Sequence, residues 1–351
     1  MPSPMIPADA RRLSVIIVTY NSRVVLEGAL PPLVAQLGDR EELIIVDNGS
    51  ADGTLDAVRE IAPRAIVLER GRNEGFAAGA NAGARAATGD LLVFLNPDAA
   101  PGPGFTDAIR LPLREERGWA AWMGLITAEG GRVVNTNGGV VHFTGIAWSG
   151  SVGAPAPGVS AGPAEVAFVS GACLAVPRLL WRRVGGFADR FFMYHEDVDL
   201  SLRLRLRGER LGVEPRAVVD HDYEFAKGAA KWRMLERNRL ATVVRCYPGR
   251  LLVLLAPALL ATEIALLAIA AAGGWLPQKL AAAAETARAL PQLLRERRVV
   301  QATRAVSAAE FAAWLTPELS SPYLGRVARV RPLRWALRGY WKLVLSALRA
   351  R

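Results

Sequence analysis

Leu13-Ser14-Val15-Ile16-Ile17-Val18-Thr19-Tyr20-Asn21 (LSVIIVTYN) is the stretch on which the fold turns. Residues 13–18 form a short, continuous, β-branched apolar run, as a strand buried on both faces requires. Thr19, Tyr20 and Asn21 then turn polar. The same pattern recurs twice. Leu43–Val46 (LIIV) runs into Asp47-Asn48-Gly49-Ser50, and Leu91–Leu95 (LLVFL) into Asn96-Pro97-Asp98. Between these runs lie helical spacing at Leu26–Leu37, a helix at Leu55–Ile61, a strand at Ala65–Leu68 and an Ala-rich helix at Gly75–Ala87. Strand and helix alternating at this pitch predict βαβ units and an α/β fold with a mostly parallel sheet. Ligands of such sheets bind at the carboxyl ends of the strands, where three polar strand ends here converge.

Farther out the pattern loosens. Trp119–Ile126, Gly139–Ala147 and Val166–Val176 are strand-like but irregular, and Pro177–Val184 and Glu196–Arg207 read as helices. Gly150–Gly162 (GSVGAPAPGVSAG) is small and Gly/Pro-rich, which predicts a mobile loop. The 351 residues are 51% hydrophobic and 22% charged, which excludes a disordered chain. Cys173 and Cys246 are too few for a disulfide framework and predict a reducing compartment. No signal peptide is visible before Leu13. The net charge of +10 is unevenly placed: residues 1–244 carry 27 basic and 28 acidic side chains, residues 245–351 carry 16 and 5. That asymmetry points to an anionic surface, lipid or nucleic acid.

Asp47 at a strand tip can accept the N3–H of a uracil or thymine ring or hold a ribose hydroxyl; equally, Asp47-Asn48-Gly49-Ser50 is a turn with a helix cap. Asp98 suits a Mg²⁺ or Mn²⁺ ion that also binds two phosphates, or is a turn residue after Asn96-Pro97. His195-Glu196-Asp197-Val198-Asp199 sets three carboxylates in four residues. Such a cluster either serves the helix dipole or, behind the aromatic Phe191-Phe192-Met193-Tyr194, provides a carboxylate of raised pKa usable as a general base. His221, between Asp220 and Asp222, is a structural histidine or a third ligand beside a metal-bound diphosphate. P-loop, dinucleotide-binding and nucleophile-elbow motifs are absent from the sequence.

Val18-Thr19-Tyr20-Asn21, Val46 through Thr54 (VDNGSADGT), Asn73-Glu74-Gly75-Phe76 with Asn81, Asn96-Pro97-Asp98, and Gly185-Gly186-Phe187 leading to Tyr194 through Leu200 (YHEDVDL) together resemble glycosyltransferase family 2. Within it they are most similar to the rhamnosyltransferase-type branch that builds bacterial cell-wall and O-antigen glycans. The resemblance covers roughly residues 13–250 and implies the GT-A nucleotide-sugar fold. It gives Asp47 the donor base, Asp98 the last position of a D-x-D-like metal motif (here N-x-D), Asp197 the general base, and His221 a place near metal and diphosphate. Thr19, Tyr20, Asn21, Asn73, Gly75, Asn81 and Asn96 join the donor-binding set, and His195 and Glu196 the acceptor-side rim. Arg237-Asn238 matches a recurrent pair in the following helix. Ala188 stands where G-F-D is usual, with Asp189 next to it, and Asn96 replaces the first motif Asp.

Residues 251–272 (LLVLLAPALLATEIALLAIAAA) carry one charge, Glu263, and are long enough to span a bilayer. Glu263 is costly in lipid unless paired, and a simple span would place the basic tail outside. An interfacial helix, one turning back at Gly273-Gly274, or a buried helix of a soluble fold are the other readings. Val330–Arg351 interleaves Leu333, Leu337, Trp341 and Leu348 with Arg331, Arg334, Arg338 and Lys342, as helices lying on anionic membranes do.

The resulting expectation is a tail (1–12), a GT-A catalytic domain (13–248) and a helical, basic, membrane-associating region (249–351). The resemblance implies an inverting enzyme using Mg²⁺ or Mn²⁺. That enzyme moves a hexose or deoxyhexose, rhamnose favoured, from a dTDP- or UDP-sugar to a lipid-linked glycan at the cytoplasmic face of a bacterial inner membrane, with no nucleic-acid partner. The alternatives are a catalytically dead, membrane-docked nucleotide-sugar scaffold and a transferase acting on a soluble or protein acceptor.

Overall fold

The computed structural model describes residues 12–156, 162–222, 228–320 and 330–350. All but residue 12 of the expected tail, residues 157–161 of the expected loop, and Arg351 lie outside the described residues. The chain begins β1 (Leu13–Thr19), α1 (Arg23–Val34), β2 (Glu41–Asp47), α2 (Thr54–Ile61), β3 (Ile66–Glu69), α3 (Gly75–Ala86) and β4 (Leu91–Leu95). There follow β5 (Ala100–Pro101), α4 (Phe105–Ala108), α5 (Leu111–Arg114), β6 (Trp119–Ala128), β7 (Val133–Thr136), β8 (Gly139–Val141) and β9 (Ala147–Ser149). Next come β10 (Ala164–Glu165), β11 (Cys173–Pro177), α6 (Arg178–Val184), α7 (Glu196–Leu206) and β12 (Arg210–Asp220). The helical end comprises α8 (Ala229–Cys246), α9 (Gly249–Ala272), α10 (Leu276–Ala302), α11 (Ala308–Ala312) and α12 (Arg331–Arg349).

Two compact units divide these elements: Met1–Gly138, Ser149–Leu200 and Glu209–Tyr223 form the first, and Gly139–Trp148, Ser201–Gly208 and Glu224–Arg351 the second. The first is built on a ten-stranded mixed sheet in the order β10-β12-β6-β11-β4-β1-β2-β3, with β5 on β12 and β7 on β6. Its β4-β1-β2-β3 half is wholly parallel, as the βαβ pattern predicts. Every residue of β1 and β4 is buried, which explains why they read as unbroken apolar runs. α3 packs so close to the sheet that a Cβ at Gly79 would lie 2.6 Å from Val18, and one at Gly83 2.4 Å from Ile16. β11 enters antiparallel between β4 and β6.

The Gly/Pro-rich stretch starts more ordered than its composition predicts. Gly150, Gly153 and Ala156 donate their N–H groups to the carbonyls of Gly138, Val134 and Arg132. Backbone bonds to the 132–138 segment here outweigh the intrinsic freedom of glycine.

The second unit holds α8 to α12 and the β8–β9 hairpin. α9 ends where the N–H groups of Gly273 and Trp275 return to Ile269 and Ala270, and Gly274 (φ +72°) turns the chain into α10. Trp275 stacks on Trp232, ring centroids 5.0 Å apart. Four charges from three helices meet inside this unit. Arg239 of α8 pairs with Glu236 at 2.9 Å and with Glu263 of α9, and Lys279 of α10 pairs with Glu263 at 2.6 Å and with Glu236. Arg239 and Lys279 are 2% and 1% exposed. Burial alone would raise the Glu236 pKa, but Arg239 and Lys279 outweigh it and hold the group below the ordinary glutamate value. The single charge of the apolar 251–272 segment is thus paired.

Candidate active site

The carboxyl ends of β2, β1 and β4 lie side by side. Asp47, last in β2 and opposite Thr19 in register, is 1% exposed. Its Oδ1 accepts from the Thr19 hydroxyl at 2.9 Å and from the Ser50 hydroxyl at 2.5 Å. Its Oδ2 accepts from the N–H groups of Gly49 and Ser50 at 3.0 and 2.9 Å. The turn-and-cap geometry is therefore present, and a nucleobase reaching Asp47 would share its acceptors with this loop. Asn21, at φ +49°, binds the same loop: its side-chain oxygen takes the Ala51 N–H and its own N–H meets the Ser50 hydroxyl. Tyr20, 49% exposed, presents its ring to solvent between these two anchors.

Asn73 caps the start of α3 by accepting the Gly75 N–H at 2.9 Å. Gly75 (φ +85°) lies where a Cβ would stand 2.5 Å from the Phe192 carbonyl, so no side chain fits. Asn81 has both ends of its amide engaged: its nitrogen donates to the Phe187 carbonyl (2.8 Å) and to Asp189 (2.6 Å), and its oxygen accepts the Phe187 N–H. It clamps the loop that leads to the acidic cluster. The carboxylate so used is Asp189, next to Ala188.

That loop is strained. Phe192 (φ 61°, ψ −64°) centres a γ-turn of the rare positive-φ kind, with the Met193 N–H returning to the Phe191 carbonyl. Tyr194 and His195 follow at φ 70° and 67°. Such backbone persists where surrounding contacts over-determine it, and the Ala77 N–H holding the Phe192 carbonyl is one of them.

Asp197 sits in the first turn of α7. Its Oδ2 accepts the Gly171 N–H at 3.0 Å and its Oδ1 the Val198 N–H at 2.7 Å. Beside Gly171, the Ala172 carbonyl accepts the Asn96 N–H, so the tip of β4 and Asp197 are joined through two consecutive residues. Burial raises the Asp197 pKa above the ordinary aspartate value despite these N–H donors. Glu196 is raised well above its ordinary value, by burial first and then by Asp197 and Asp199; its Oε2 is buried without a partner.

A pH test follows. A carboxyl whose folded pKa lies above its unfolded value contributes stability below the unfolded pKa, here 4.5, and loses it as pH rises through the folded value. Glu196→Gln is expected to melt above the parent at neutral pH, with the gap closing below pH 4.5; a less stable variant at neutral pH contradicts a raised Glu196.

At the far side of the β4 tip, Asp98 Oδ1 lies 3.0 Å from His221 Nε2, and the Asn96 amide nitrogen 3.5 Å from the same atom. The His221 backbone is fixed by the Thr127 carbonyl and the Asn135 side chain. One carboxylate and one imidazole suit Mn²⁺ or Mg²⁺ when phosphate oxygens complete the shell. Among the described residues no third His, Cys, Asp or Glu joins them. Gly171 and the γ-turn at Phe192 escaped the sequence reading; the only trace of Gly171 was a small-residue step, Ser170-Gly171-Ala172, before β11.

The family model for "Glycosyl transferase family 2" matches residues 14–128. The chain is 31% identical over 241 residues to N-acetylglucosaminyl-diphospho-decaprenol L-rhamnosyltransferase of Mycobacterium tuberculosis, covering 62% of this chain and 78% of that protein. Its fold is similar to that of GalNAc-T7 with UDP, GalNAc and Mn²⁺ (TM-score 0.56, 16% identity, 69% of this chain and 49% of that one). It is likewise similar to S. aureus TarS 1-349 in complex with UDP (TM-score 0.51, 15% identity, 96% and 90%). At these identities the two structures speak to fold alone.

Proposed function

The chain belongs to glycosyltransferase family 2, and from that premise we propose that it is an inverting transferase delivering a hexose or deoxyhexose, rhamnose favoured, from a dTDP- or UDP-sugar to a lipid-linked glycan. The reading includes a place at the cytoplasmic face of a bacterial inner membrane and a division of labour between residues 13–248 and 249–351. The observation that carries it is the placement of Asp197, oriented by Gly171 and tied through Ala172 to the strand end that bears Asn96 and Asp98. The rhamnose and the lipid-linked acceptor are supported by what the mycobacterial relative is named for.

The donor lies across the ends of β2, β1 and β4, with Asp47 and Tyr20 at its base and Asp98 at its diphosphate. Asp98 and His221 would hold a Mg²⁺ or Mn²⁺ ion, which supplies charge neutralisation at the leaving diphosphate. Asp197 takes the proton of the acceptor hydroxyl as that oxygen bonds to the anomeric carbon. The anomeric carbon–phosphate oxygen bond breaks, its electron pair leaves with the nucleoside diphosphate, and the configuration inverts. Base action of this kind contributes about 10²–10⁴-fold. The clamp of Asn81 on Phe187 and Asp189 keeps the strained rim, and with it Asp197, in place.

A donor panel tests the proposal. Purified chain receives dTDP-rhamnose and several UDP- and GDP-sugars with membrane lipid extract, and nucleotide release is followed. Release from one donor, lost on chelation and restored by Mn²⁺ or Mg²⁺, is expected. Donor binding without release from any sugar would sink the transferase reading.

A further inference from the structure

Within the second unit, α9 has two unlike faces. Val253, Leu260, Ile264 and Leu267 are 75%, 63%, 61% and 37% exposed. Their spacings of seven, four and three residues place them on one stripe. Leu251, Leu255 and Ala270 are buried on the other side, where Glu263 meets Arg239 and Lys279. α12 runs along α9: the Tyr340 hydroxyl donates to the Leu254 carbonyl, and the Arg250 guanidinium to the carbonyls of Ala347 (2.6 Å) and Ala350 (2.7 Å). α12 buries Trp341, Val344 and Leu348, and turns Trp335 (70% exposed) and Leu343 (71%) outward among exposed Lys342 and Arg349, with Arg338 paired to Glu318. It carries five basic residues and no acidic one.

We infer that the outer faces of α9 and α12 form one docking surface for an anionic lipid bilayer, with α9 lying in the plane of the interface and not crossing the membrane. The inference rests on the membrane location proposed above and adds the mode and the residues. Only Leu251, Leu255 and Ala270 of the 24 residues of α9 are buried, so the in-plane mode rests on Glu263, a mid-helix carboxylate that Arg239 and Lys279 tie to α8 and α10. An aliphatic stripe beside a helix rich in Arg, Lys and Trp matches the hydrocarbon–headgroup boundary, where long basic side chains reach phosphates while their stems stay apolar. A second copy fits worse, because a two-fold contact through α12 would bring the same positive faces together.

The full-length chain is sedimented with phosphatidylglycerol vesicles and with phosphatidylcholine vesicles. Three variants accompany it: Leu260→Glu with Ile264→Glu, Lys342→Glu with Arg349→Glu, and Ala302→Cys. Binding to the anionic vesicles alone is expected, weakened at least about tenfold by either double variant, with thermal midpoint and nucleotide-sugar binding kept. The cysteine at 302, beyond α9, is expected to react with an impermeant maleimide added to intact vesicles. Protection of that cysteine overturns the in-plane mode, since α9 then crosses. Vesicle binding indifferent to both double variants overturns the surface while leaving the membrane location standing. Absence of vesicle binding from a chain that still turns over donor overturns surface and location together, and leaves the transferase reading intact.

Discussion

Asp197→Asn is expected to lower turnover by about 10²–10⁴-fold while leaving donor binding close to that of the parent. Asparagine keeps the shape of the side chain, and its oxygen can still accept the Gly171 N–H that orients Asp197. It cannot take a proton at neutral pH. In the proposed reading the donor is bound by residues at the ends of β1, β2 and β4, which the change does not touch. The parent enzyme should also show an acidic limb in its rate profile above the ordinary aspartate range, because burial raises the Asp197 pKa and only the ionised form serves as base. Single-turnover rates and nucleotide-sugar titration separate the two effects. A variant that keeps more than about a tenth of the rate would remove Asp197 from the base role.

The largest stability effect is expected at Lys279→Ala. Lys279 is 1% exposed and bridges Glu236 of α8 to Glu263 of α9. Without it two carboxylates are left to Arg239 alone, and breaking a buried ionic cluster this way costs about 3–5 kcal/mol. The loss should appear in urea or thermal unfolding of the second unit. Replacing Lys279 with Met and Glu263 with Leu together should recover much of it, since an apolar pair carries no uncompensated charge. The contribution of Glu236 is present above its unfolded value of 4.5 and lost as pH falls through its lowered folded value, so the parent itself loosens in acid. A Lys279→Ala protein within about 0.5 kcal/mol of the parent would show that the cluster does not secure α9.

β1, β2 and β4 were legible because burial on both faces demands unbroken apolar runs, and their polar tips mark the ligand edge of any parallel sheet. The acidic cluster at 196–199, within which the family resemblance singled out Asp197, was legible because three carboxylates in a first helical turn, preceded by aromatics, are an unusual grouping. The γ-turn at Phe192 was not, since its cause is the Phe192 carbonyl bonded to Ala77 beside a glycine more than a hundred positions earlier. Gly171 was hidden for the same reason: an N–H donor has no residue signature. The 150–156 segment looked loose because its hydrogen bonds go to another segment.

Local composition and periodicity determined on their own the α/β alternation, the polar strand ends and the apolar, basic character of the last third. Those properties depend on which side chains are apolar and how they are spaced, and that is written along the chain. Tertiary structure alone decided that Asp47 is enclosed by its own loop, that Asn81 clamps Phe187 and Asp189, and that Glu263 turns inward to Arg239 and Lys279. Apart from the turn contacts of Asp47 with Gly49 and Ser50, these are short-range polar contacts between residues distant in sequence, and periodicity says which face of a helix is apolar without saying what will cover it.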